Sequence, residues 1–194
     1  MIPPMNTNLI KKYPTIACCG IDCGLCPRYH TEGKSKCPGC AGQNFFEKHP
    51  SCSIMTCCLK HKQFETCAEC PDFPCIKLKN WDRADSFVTH QNALKNLQDI
   101  REHGLPAFIR QQNVRMDLLE RSLKQYDDGR SKSFFCLAFA LLPIDDITNA
   151  IEELEHHGNT GADKKSFAKL LKDILRLKAA LHRIELVYRR NKKA

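Results

Sequence analysis

Beyond Trp81 the apolar positions of the chain recur at helical spacing, with few turn signals between them. Ala93, Leu94, Leu97 and Ile100 share one face of an expected helix over residues 86–103, which Gly104 stops. Pro106 suits the first turn of a second helix, which reaches residue 126 through Phe108, Ile109, Leu119 and Leu123. A polar turn at Asp127-Asp128-Gly129 leads to ten residues, Ser133 to Leu142, that are apolar on every side except at the first position. Such a stretch is a buried central helix, too short to cross a bilayer. Pro143 ends it, Asp145 or Asp146 caps a helix running to residue 157, and residues 158–161 form a loop. A last helix over residues 163–190 carries Phe167, Leu170, Leu171, Ile174, Leu181, Ile184 and Tyr188 on one face and lysines on the other. The expectation for this half is an all-α bundle of about five helices, with no strands.

The preceding residues show no such period. Twelve of the thirteen cysteines lie between Cys18 and Cys75. The same span holds nine large apolar residues: Ile21, Leu25, Phe45, Phe46, Ile54, Met55, Leu59, Phe64 and Phe73. That is too little apolar surface to offset the backbone entropy of ordering the segment, so something else must hold it. The chain is therefore expected to be mainly α, with a loop-rich, metal-stapled cysteine module over residues 1–80 and a helical domain over 81–194.

Cysteine usage and charge narrow the classes. Residues 1–10 lack the basic start and apolar run of a secretory signal, and no later stretch reaches membrane-span length, so a soluble cytoplasmic protein is expected. An odd cysteine count and the vicinal pairs Cys18-Cys19 and Cys57-Cys58 argue against a secreted disulfide scaffold. The net charge of +8, from 30 basic and 22 acidic residues, is compatible with a protein or nucleic-acid partner and specifies neither.

Three CxxC units stand out: Cys23-Gly-Leu-Cys26, Cys37-Pro-Gly-Cys40 and Cys67-Ala-Glu-Cys70. A two-residue spacing lets both thiolates face one tetrahedral ion, and Cys19, Cys52, Cys57 and Cys75 flank the units. Zinc is the expected ion, at about two or three per chain, each contributing folding free energy directly. An iron-sulfur cluster is the alternative. Cys19-Gly-Ile-Asp-Cys23-Gly-Leu-Cys26 resembles the cluster loop of radical S-adenosylmethionine enzymes, but the partial α/β barrel those enzymes need is not expected here.

His30, His49, His61 and His90 are expected on the surface, and Cys18 and Cys58 as spare thiols. Cys136 reads as a small core residue, and Asp22 and Glu69 as surface or supporting carboxylates. Arg130 and Lys132, at the start of the buried helix, offer an anion site; the favoured reading is that Ser131 or Ser133 caps the helix and the charges stay in water. The basic tail over residues 189–193 is expected to be frayed and solvated. No catalytic residue is assigned, and a binding or adaptor role is expected over an enzymatic one.

The motifs Cys19-Gly-Ile-Asp-Cys-Gly-Leu-Cys-Pro27, Cys37-Pro-Gly-Cys40, Cys52-Ser-Ile-Met-Thr-Cys57 and Cys67-Ala-Glu-Cys-Pro-Asp-Phe-Pro-Cys75 together resemble the uncharacterised cysteine-rich family DUF3795. The stretches 100–104 and 128–134 look like the downstream region of some members. The resemblance implies metal binding through Cys19, Cys23, Cys26, Cys37, Cys40, Cys52, Cys57, Cys67, Cys70 and Cys75, and no activity.

Overall fold

The structure, a computed structural model, describes residues 10–50, 52–157 and 163–190. The expected loop at 158–161 and the last residues of the basic tail lie outside the described residues. The described residues are mainly helical, and their only β pairing is an isolated bridge between Ile16 and Asp22. Short 3-10 turns dominate before residue 80, joined by a brief helix α1 (Ser53–Met55) that widens into a π turn over Thr56–His61. Five longer helices follow: α2 (Ala93–His103), α3 (Leu105–Tyr126), α4 (Lys132–Leu141), α5 (Ile144–His157) and α6 (Lys164–Leu181). None is long and apolar enough to cross a membrane.

Helix α2 begins seven residues later than its apolar spacing suggests. The Asp85 carboxylate accepts hydrogen bonds from His90 N at 2.6 Å and Thr89 Oγ1 at 3.3 Å, winding residues 85–90 into a turn that competes with helix. Gly104 ends α2 at φ 87° and ψ 147°, backbone that an L-residue resists, and Pro106 follows in the first turn of α3. In α4, Phe135, Cys136, Leu137, Ala138, Phe139 and Leu141 are all buried, as an all-round apolar helix requires. Arg115 reaches from α3 to its exposed carbonyls, donating to Phe139 O at 2.9 Å and Leu142 O at 2.7 Å. Asp145 and Asp146 sit inside the first turn of α5, where their charge favours the helix N-terminus. Asp163 caps α6 by accepting from Ser166 N at 2.8 Å.

Helix α6 ends at Leu181, although its apolar period continues through Ile184 and Tyr188. The chain turns at Arg183, φ 56°, and runs back to the start of α2. There Arg189 N donates to Asp85 Oδ2 at 2.7 Å, Asp85 N donates to Arg189 O at 2.8 Å, and Gln91 Nε2 donates to Val187 O at 3.0 Å. Arg189 is thus latched to the segment before α2, not frayed.

Two cores organise the molecule. The first combines Ile16, Ile21, Ala41, Phe45, Ile54, Met55 and Leu78 with Ala93, Leu97 and Ile100 of α2, so it crosses residue 80. The second gathers α3 to α6 around Phe135 and Phe139, and Leu25 from the Cys23–Leu25 turn inserts into it. Gly20 brings the first core together. Its φ is +86°, and a Cβ there would lie 2.0 Å from Ala93 O and 2.7 Å from Leu97 Cγ. Asn96 Nδ2 completes the contact by donating to Gly20 O at 2.9 Å.

Candidate metal centre

Two of the three CxxC units form the same local structure. Cys23–Leu25 and Cys67–Glu69 are single 3-10 turns in which Cys26 N donates to Cys23 O and Cys70 N to Cys67 O, each at 3.2 Å. Glu69 Oε1 accepts from Thr66 N at 2.8 Å and steadies the second turn, so Glu69 is occupied as a cap. The third unit is built by long-range bonds instead: Cys37 N donates to Arg28 O at 2.9 Å and Cys40 N to Pro14 O at 2.8 Å.

On one side of the module a narrow cavity of about 20 Å³ is lined by Cys57, Cys58, Cys67, Cys70 and Cys75, with Ile54, Phe64, Phe73 and Leu78 supplying apolar walls. A void of that size holds one small particle such as a water. Lys62 stands at its edge, donating to Cys70 Sγ at 3.2 Å and to Asp72 Oδ2 at 2.6 Å. Neighbouring this cavity, the buried sulfurs form a chain in which Cys18 lies between Cys40 and Cys58, and Cys58 also meets Cys67. Proximity to the Cys40 and Cys58 thiols holds the Cys18 sulfur down to about 4 against desolvation, with the Lys11 ammonium assisting, while the Cys58 thiol donates to Phe64 O at 3.3 Å. The partners keep their protons: Cys40 is pushed up chiefly by sharing with Cys18, and Cys58 by sharing with Cys18 and Cys67. Lys11 itself is buried, with Nζ donating to Ile16 O and Glu65 O at 2.6 Å each and lying 4.0 Å from Glu65 Oε2. Cys18 and Cys58 are therefore central, not peripheral, to the sulfur arrangement, and a cation rests beside it.

Cys19, Cys23, Cys26 and Cys37 occupy the other side, close enough for their charges to interact, and Cys52 acts on Cys19. Burial pushes Cys19 up to about 12 and raises Cys23 and Cys26, so without a cation these thiols hold their protons. A divalent ion reverses that balance, because a coordinated thiol is deprotonated. The indole Nε1 of Trp81 is buried without a hydrogen-bond partner and lies where it favours the Cys19 thiolate. An orphaned donor beside a sulfur fits a charged ligand better than a neutral thiol. Among the described residues no three cysteine sulfurs lie within 4.8 Å of one another; the one triplet that meets that distance is Asp99, Glu102 and His103 on the surface of α2.

The histidines divide. His30 Nε2 pairs with Gly24 O at 2.7 Å, and His61 is exposed. His90 is buried, stacked on Trp81 at 5.1 Å. His49 Nε2 lies 3.1 Å from Cys37 Sγ. His30, His49 and His90 thus depart from the surface placement expected of them: pairing with Gly24 O holds His30 inward, and aromatic neighbours carry the rings of His49 and His90 inward. Asp22 is half-buried and accepts from Gln112 Nε2 at 2.6 Å; burial lifts it to about 6 despite that bond and the nearby Arg115. Ser131 stands at the N-cap of α4 without the capping hydrogen bond expected of it. Ser131 Oγ donates to Asp128 at 2.6 Å in place of capping, Ser131 N donates to Asp127 at 3.0 Å, and Lys132 Nζ reaches Thr31 Oγ1 at 3.3 Å. Two carboxylates thus order the turn that leads into α4. Cys136 is buried in α4 among apolar neighbours, as its surroundings in sequence imply.

Residues 15–80 match the profile of the family described as "Protein of unknown function (DUF3795)". This stretch is similar to the DUF3795 family. No curated protein and no solved structure matches the chain. The DUF3795 match contains all ten cysteines assigned above, together with Cys18, Cys58 and His49, and stops before Trp81 and the downstream stretches at 100–104 and 128–134. Lys11 and Trp81, which bracket the matched residues, carried no metal-binding pattern of their own; the one hint was an indole placed directly after the last cysteine turn.

Proposed function

We propose that this protein binds metal through the thiolates of its DUF3795-like stretch, and that the ions serve to fold that stretch onto the helical half. The observation that carries the reading is the small cavity walled by Cys57, Cys58, Cys67, Cys70 and Cys75, which brings cysteines from separate turns to the edge of one void. Buried Lys11 supports it, because a cation beside sulfurs offsets the negative charge that several thiolates bring to an ion. Two or three zinc ions suit this donor set, with a binding or adaptor role for the protein as a whole.

An iron-sulfur cluster is the second reading, and sulfur spacing favours it. A single tetrahedral ion with sulfurs at about 2.3 Å sets them about 3.8 Å apart, whereas no three described sulfurs fall within 4.8 Å. A cluster spans a wider set of cysteines. Elemental analysis and a visible spectrum of protein purified without oxygen or added metal decide between them. Two or three zinc per chain with no visible band are expected; stoichiometric iron and sulfide with a broad band near about 400 nm would replace zinc by the cluster. Protein folded with neither metal would overturn both.

A further inference from the structure

Cys37 and His49 are twelve residues apart in sequence and belong to different turns, yet their ligand atoms lie 3.1 Å from each other. The imidazole is held there from both directions. Its ring stacks on Phe45 at 4.5 Å and 10° between planes, and His49 N donates to Phe45 O at 3.0 Å. Phe87, from the segment before α2, approaches the ring at 6.4 Å, and the Arg28 guanidinium covers Phe87 at 4.7 Å. A ring so fixed loses little rotamer freedom on binding. In a tetrahedral site with sulfur at about 2.3 Å and imidazole nitrogen at about 2.0 Å, the two ligand atoms stand about 3.5 Å apart. The observed pair is close to that spacing. The other described histidines near the module differ: the His30 ring is turned to Gly24 O, the His90 ring to Trp81 O and Ser86 Oγ, and His61 is exposed.

We infer that His49 is a metal ligand, closing a mixed site with Cys37 and the thiolates of Cys23 and Cys26. This rests on the thiolate-metal reading above and adds a nitrogen donor that the cysteine motifs do not contain. Cys23 and Cys26 are the partners because Cys37 N donates to Arg28 O at 2.9 Å, which seats Cys37 beside the chain leaving that CxxC turn, and the two sulfurs of such a turn serve one ion. Since a third sulfur stands beyond 4.8 Å of the Cys37–His49 pair, the ion draws the site closed.

The test uses the full chain, stripped with a chelator under reducing, oxygen-free conditions and titrated with Co2+. The wild-type d–d bands are expected to include a component from three sulfurs and one nitrogen. His49→Ala should bind one ion fewer, or bind it more than about tenfold more weakly. His49→Cys should restore the full count with bands moved to lower energy. An all-sulfur spectrum from the wild type overturns the inference without any variant, and so does a His49→Ala protein with unchanged count, affinity and bands, which would leave only a hydrogen bond between imidazole and thiol. A wild-type chain that takes up no Co2+ would instead overturn the metal-binding reading on which this one stands.

Discussion

His90 shows how much of a side chain's behaviour is set by residues distant in sequence from any pattern. Buried against Trp81, with Nδ1 near Trp81 O at 3.3 Å, it titrates below the ordinary histidine range because burial disfavours the imidazolium. The same cause lowers His30 and His49. A depressed histidine binds its proton more readily when the chain unfolds, so it adds stability above its unfolded value that is lost as pH falls through that value towards the folded one. Thermal melts between about pH 8 and 5 should therefore show stability falling below about pH 6.5, with a shallower fall in His90→Gln; an unchanged slope in the variant would assign the effect elsewhere. The six cysteines of the CxxC pairs could be picked out from spacing alone, because a CxxC pair is a local device. Cys18, Cys58, Lys11 and His49 could not, since each is brought to the sulfurs by bonds such as Cys67 N to Cys18 O at 2.9 Å and Lys11 N to Ala41 O at 3.0 Å, which join separate stretches of chain.

Helices were legible where one face had to be buried and a stop residue followed. Pro106, Pro143, Gly104 and Asp163 mark their boundaries by local stereochemistry, and α3, α4 and α5 fall within a residue or two of their expected limits. The start of α2 and the end of α6 were not legible, because the same Asp85 carboxylate and backbone divert both segments into one non-local arrangement. Gly20 is the complementary case: a motif glycine whose reason lies in an element 73 residues later, Ala93 of α2. Gly20→Ala should separate α2 from the cysteine turns and cost about 3 kcal/mol or more, from overlap with backbone and a positive φ together. A lower urea midpoint at unchanged slope would register that loss; a midpoint within error of wild type would mean that the close approach is easily relaxed.

The two cores divide the molecule in a way that its cysteine boundary does not. Because α2 belongs to the first core, removing metal should unfold residues before 80 and take α2 with them, while α3 to α6 retain the core around Phe135 and Phe139. Chelator titration followed by circular dichroism and hydrogen exchange should show partial helix loss with protection kept in α4 and α6; complete loss in one step would mean that Leu25 couples the two cores into a single cooperative unit. The Asp85–Arg189 latch also orders events in time. Its partners are 104 residues apart, so at roughly 5–20 residues per second of synthesis the later one is made about 5–20 s after the first. During that interval the segment that carries Phe87 beside His49 lacks the anchor that Arg189 gives it.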